Sequence, residues 1–135
     1  MVVGGGVFQV PCIKAAREMG VKVVVTDYQA DAPGMFLADH SIVVSTRNIN
    51  LTVNAAKEFH KTCPLNGVIT VGTDASQTVA AVANALGLPG IPFAVAERAT
   101  DKIKMRRCLK EAGVAMIPGT AFGKFATDNV RFNFA

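Results

Sequence analysis

Three consecutive glycines, Gly4-Gly5-Gly6, are the residues of this chain best suited to chemistry. Without a Cβ, a glycine backbone can approach a ligand closely. A helix that starts just beyond it presents unpaired N–H groups and a partial positive charge. Phosphate, carboxylate or pyrophosphate suits such a place, and three glycines exceed what a tight strand-to-helix turn needs. Gly4 and Gly6 begin the G-x-G-x-x-G dinucleotide pattern, but Gln9 stands where its third glycine allows close helix–strand packing. Asp27 falls roughly 20 residues on, where an adenosine ribose is gripped, and it equally suits capping a loop. Thr73 and Asp74 read as ligand contacts on a neighbouring turn or as helix caps. Lys102 puts a cation in the first turn of a helix, against the dipole by about 0.3–1 kcal/mol. It reads as an anion contact or as part of a solvated basic face with Arg106 and Lys110. Cys12, Cys63 and Cys108 form no CxxC pair and are expected to be reduced, mostly buried thiols. His40 and His60 lack metal-ligand spacing, so no metal site is expected.

These residues must be positioned by secondary structure. Met1–Val3 reads as a strand ending at the glycines, and a helix follows to about Met19, closed by Gly20. Its inward stripe is expected at Phe8, Cys12, Ala15, Ala16 and Met19, with Pro11 tolerated in the first turn. Val21–Thr26 is a β-branched run of the kind buried on both faces of a parallel sheet. Asp31-Ala32-Pro33-Gly34 reads as a turn, Ser41–Ser45 as a third strand and Gly67–Val71 as a fourth. Helices are expected over Ile49–His60, with Thr52, Ala55, Ala56 and Phe59 inward, and after Thr73 or Asp74, with Val79, Val82, Ala83 and Leu86 inward. A last helix spans about Thr100–Glu111, with Met105, Cys108, Leu109 and Ala112 inward.

Strands alternate with helices, which predicts an α/β fold: a Rossmann-like, doubly wound parallel sheet with helices on both faces. The expected strand order is 3-2-1-4, reversing between the first and fourth strands, where such sheets bind ligands. Hydrophobic residues make up 50% of the 135, enough for a folded core and too many for a disordered segment. No apolar run approaches the roughly 18 residues needed to span a membrane, and no signal peptide is evident, so a cytoplasmic location is expected. The net charge of +4 is spread along the chain without aromatic–basic interleaving, which argues against nucleic-acid binding.

An ordered set of short motifs adds to this reading. Val2-Val3-Gly4-Gly5-Gly6-Val7-Phe8-Gln9, Val23-Val24-Val25-Thr26-Asp27, Asp31-Ala32-Pro33-Gly34 and Ala38-Asp39 come first. Val71-Gly72-Thr73-Asp74, Leu86-Gly87-Leu88-Pro89-Gly90 and Thr100-Asp101-Lys102 follow. Together they resemble the N-terminal, pre-ATP-grasp domain of ATP-grasp ligases, with a carbamoyl phosphate synthetase large-subunit-like flavour, from Val2 to about Ile117. The resemblance implies that Gly5, Gly6, Phe8 and Gln9 line the site of a small anionic acceptor substrate, beside Gly4 of the same turn, with Thr73 and Asp74 on the adjacent turn. It implies that Lys102 reaches the nucleotide phosphates. It also implies ATP and magnesium as cofactors of the whole enzyme, and an ATP-grasp domain as partner, in cis or in trans.

The paired acidic and amide residues that hold magnesium in that family cannot be located in this sequence. Phosphoryl transfer depends on metal and positioning, so the chain is expected not to be catalytic alone. The expected division is a domain over 1–120 and a Phe-rich tail over 121–135, which carries four of the eight phenylalanines and reads as an edge strand or a docking segment. A front domain without its partner exposes apolar surface, so self-association is expected. Two other readings stand beside this one: a stand-alone Rossmann module binding NAD or another nucleotide, and an interaction subunit that docks through its tail.

Overall fold

The structure, a computed structural model, describes residues 1–114 together with the strand pairs at 117–118 and 130–131. It divides into two units, Met1–Ala96 and a second beginning at Glu97. The expected boundary at 120/121 lies outside the described residues.

The first unit is built on three parallel strands in the order β1-β2-β3: β1 (Val2–Val3), β2 (Val24–Asp27) and β3 (His40–Val43). Side chains alternate across a strand, so consecutive valines serve opposite faces. Val2 and Val25 pack with Ile13 of α1 (Val10–Glu18) and Met35 of α2 (Pro33–Leu37). Val3 and Val24 pack with Ala56 of α3 (Ile49–Thr62) and Val82 of α4 (Ser76–Leu86). Both faces of the sheet are therefore covered, and all four residues of β2 are buried. β3 forms the edge, and three of its four residues are exposed.

The fourth strand is not formed as a strand. Ile69 makes a single parallel bridge to Val2, on the side of β1 opposite β2. Val3 N–H donates to Ile69 O at 2.9 Å, and Ile69 N–H to Met1 O at 3.0 Å. β1 has only two residues to offer, and Gly72, at φ +63°, turns the chain away soon afterwards. The four-strand order expected from the sequence is thus present only as three strands and a bridge.

Other elements depart from the sequence reading in informative ways. α1 buries Ile13, not Phe8 or Met19, which are 72% and 79% exposed. The helix begins only at Val10, leaving Phe8 in the preceding turn, and its sheet-facing line runs Gln9–Ile13–Ala16. The Asp31–Gly34 turn runs directly into α2, which the sequence did not signal. Neither Thr73 nor Asp74 caps α4: its N-cap is Ala75, with no side-chain cap. Gly87 ends that helix in the left-handed conformation, as expected. In α3 and α4 the inward stripes fall as predicted, with Thr52, Ala56, Val82 and Ala83 buried.

In the second unit, α6 (Lys102–Glu111) follows α5 (Phe93–Thr100) and is capped by Asp101, which accepts from Ile103 N–H and Lys104 N–H. None of its residues is buried, and Cys108 and Ala112, expected inward, are exposed. β4 (Ile117–Pro118) pairs antiparallel with β5 (Val130–Arg131). The rest of the Phe-rich tail lies outside the described residues.

Gly34 is required by contact. Its N–H donates to Gly5 O at 2.7 Å, and an added Cβ would stand 2.7 Å from Ile13 Cδ1 and 2.8 Å from Gly5 O. Gly34→Ala is therefore expected to destabilise the protein by about 1–3 kcal/mol, read as a lower urea midpoint. Asp39 sits before β3. The Val23 N–H, with Lys22 Nζ second, holds its carboxyl below the ordinary value. A depressed carboxyl contributes stability that is present above its unfolded pKa and lost as pH falls through the folded value. Urea midpoints of the wild type should therefore drop on acidification below about pH 4 more steeply than those of Asp39→Asn.

Candidate functional site

The carboxyl ends of the strands open onto a cleft of about 610 Å³. Four turns converge on it. Gly4, Gly6, Phe8 and Gln9 come from the end of β1, and Asp27, Tyr28 and Gln29 from the end of β2. Ser45, Thr46 and Arg47 follow β3, while Gly72 and Thr73 follow the Ile69 bridge. This is where parallel α/β sheets place ligands.

The glycine turn is only partly open. Gly4, at φ +102°, donates its N–H to Thr26 O at 2.8 Å. Gly5 donates to Asp27 Oδ2 at 2.7 Å, and the other carboxylate oxygen accepts from Gln29 N–H at 3.0 Å. Asp27 is 8% exposed, so this carboxylate is built into the turn. The donors behind the glycines were expected to be free. Those of Gly4 and Gly5 are taken by the protein itself, while Gly6, Val7 and Phe8 have no hydrogen-bond partner for their N–H among the described residues.

Asp27 Oδ2, 2.7 Å from the neighbouring Gly5 nitrogen, puts a negative group into the turn, and like-charge repulsion then offsets part of what the open N–H groups and the helix dipole offer an anion.

Gln9 explains the missing third glycine. It is buried, and its Nε2 donates to Val71 O, tying the first turn to the one that carries Gly72 and Thr73. The opposite wall is held by buried threonines. Thr52 Oγ1 donates to Ser45 O at 3.0 Å and Thr78 Oγ1 to Thr46 O at 2.6 Å. Asn48 N–H also donates to Ser45 O, and its side chain caps α3. This pinned turn carries Arg47, which the sequence reading missed. The available signal was its place directly after a parallel strand.

Of the residues singled out in sequence, Gly4, Gly6, Phe8, Gln9, Asp27 and Thr73 come together around the cleft. Gly5 lies beneath it, against Val25, Met35 and Ala32, and Asp74 is exposed outside the lining. Lys102 is exposed at the start of α6, in the second unit. His40 packs edge-on against Phe59 at 5.2 Å, and His60 Nδ1 accepts from Leu65 N–H. Among the described residues no three His, Cys, Asp or Glu side chains cluster as metal ligands, so no magnesium-binding role is assigned to them. No described helix is long and apolar enough to cross a membrane.

A parallel sheet covered on both faces, with a polar cleft at its carboxyl edge, defines a Rossmann-like α/β domain. Residues 13–90 match the family described as the ATP-grasp N-terminal domain, and the chain belongs to that family. Phosphoribosylglycinamide synthetase from Anaerococcus prevotii is similar, with a TM-score of 0.70 and 24% identity over 97% of this chain and 34% of that one. L-amino acid ligase from Bacillus licheniformis gives a TM-score of 0.66 and 19% identity, covering 96% of this chain and 37% of that one. N5-carboxyaminoimidazole synthetase from Staphylococcus aureus, complexed with ADP, gives 0.65 and 21%, covering 87% and 30%. The chain thus spans about a third of the length of these structures. No curated protein matches it in sequence. The reading as a stand-alone NAD module gains no support, since the similar structures are ligases.

Replacing Asp27 should therefore affect the empty protein. Asp27→Ala leaves the buried Gly5 N–H without an acceptor and is expected to cost about 1–3 kcal/mol in urea unfolding without any ligand.

Proposed function

We propose that this chain is the acceptor-substrate domain of an ATP-dependent carboxylate–amine ligase, working with an ATP-grasp domain in cis or in trans. The observation that carries the proposal is the cleft at the carboxyl ends of β1–β3, where four turns bring polar groups to one place. Gly4, Gly6, Phe8, Gln9, Asp27 and Thr73 line the substrate side in this reading, and Gly5 shapes it from below by holding Asp27. Asp74 flanks the Thr73 turn.

Lys102 is proposed for the nucleotide phosphates. It is exposed and makes no hydrogen bond or ion pair among the described residues, whereas the nearby Lys104 is paired with Glu97 at 2.8 Å. The ADP in the Staphylococcus aureus neighbour supports ATP as the nucleotide of the whole enzyme. Magnesium would serve the phosphates there. The carbamoyl phosphate synthetase-like flavour rests on the motif set alone.

Exposed Phe8 and Tyr28 at the cleft, at 72% and 66%, support cover by a second domain or by another copy of the chain. A cytoplasmic site of action fits the reduced cysteines expected from the sequence.

Amide shifts followed while small carboxylates, amines, sugar phosphates and ATP are titrated test the proposal. At least one acceptor class is expected to move Gly6, Phe8, Gln9 and Thr73 together in the millimolar range. A panel that leaves all four unmoved, or tight NADH binding by calorimetry, would overturn it.

A further inference from the structure

The charges of the cleft are not evenly placed. Its lining has one carboxylate, Asp27, and one cationic side chain, Arg47. Asp27 is buried in the glycine turn at the end of β2. Arg47 is exposed and makes no ion pair or hydrogen bond with the described residues. Its backbone is nevertheless pinned, because buried Thr52 and Thr78 and the N–H of Asn48 hold the two residues before it. A guanidinium offers five donors in a planar fork and matches a carboxylate or phosphate in bidentate fashion. Unpaired among the described residues, on a fixed turn and lining a polar cleft, it has these donors to offer an anion.

The opposite wall asks for the reverse. Gly6 and Phe8 bring open N–H groups, yet the Asp27 carboxylate stands beside them and repels a second negative charge. Its oxygens each accept one backbone hydrogen bond and keep further lone pairs for a donor. Arg47 follows β3 and Asp27 ends the neighbouring strand β2, with the glycine turn after β1 on the far side of β2.

We infer that the acceptor substrate is bipolar, with its anionic group on Arg47 and an uncharged or amino group at the glycine turn. The inference rests on the cleft being the acceptor site and adds the orientation and the charge class of what it takes. Arg47 is then the specificity-determining residue of the site, and the tandem glycines receive the uncharged or amino end.

Three probes separate the outcomes: inorganic phosphate, γ-aminobutyrate and glutarate, the last two being equally long chains that differ in one terminal charge. Each is titrated at constant ionic strength into the wild type, Arg47→Ala and Arg47→Lys while backbone amides are followed. Phosphate is expected to move Thr46 and Arg47 most, with about tenfold weaker binding in Arg47→Ala and partial recovery in Arg47→Lys. γ-Aminobutyrate is expected to bind more tightly than glutarate. The inference is overturned if Gly6, Val7 and Phe8 respond most strongly to phosphate and Arg47→Ala leaves its affinity unchanged. It is equally overturned if glutarate binds as tightly as γ-aminobutyrate, or if none of the three moves a cleft amide. The wider acceptor role would then still stand on the broader compound panel, so the two readings fail separately. Arg47 is exposed, so loss of the fold does not confuse the result.

Discussion

One carboxylate organises the upper edge of this sheet. Asp27 closes β2, reaches across to the N–H of Gly5 and, with its other oxygen, holds Gln29. A buried carboxylate needs hydrogen-bond donors, and a glycine turn with open N–H groups needs acceptors. Each meets the requirement of the other. Once Gly5 is fixed in this way, its carbonyl accepts from Gly34, which brings α2 against α1 and the first strand. The geometry of the cleft, the packing of one sheet face and the local charge at the turn all follow from this contact.

The same contact changes the function of the glycine motif. Tandem glycines before a helix suggest an anion cradle, and here the protein has placed its own anion there. The N–H groups of Gly6 and Phe8 stay open among the described residues, while a carboxylate of the protein occupies the Gly5 donor and adds a negative group to the turn. The positive counterpart lies across the cleft on Arg47. In the proposed acceptor role, opposite charges in one cleft would orient a ligand as well as bind it.

The second unit contributes differently. Its capped helix α6 begins with an exposed, unpaired Lys102 and buries none of its residues among those described. A lysine at that place is out of keeping with the helix dipole, and the Asp101 carboxylate that caps the same terminus is in keeping with it.

Much of this architecture was legible in the residues themselves. The β-branched run at Val23–Val25, the glycines that end the helices, and the inward stripes of α3 and α4 are local patterns that the backbone follows whatever surrounds it. The sequence alone therefore determined the α/β class, the parallel sheet and the edge at which its turns gather. The tertiary structure alone decided which face α1 buries, because Ile13 meets Val25 only after the helix has docked. It also decided that Ile69 makes a bridge instead of a strand, because β1 is too short to hold more. Above all it decided the partner of Asp27 and the position of Arg47. Spacing along a chain does not encode distance across a sheet, so a carboxylate 22 residues from a glycine became its hydrogen-bond acceptor only on folding.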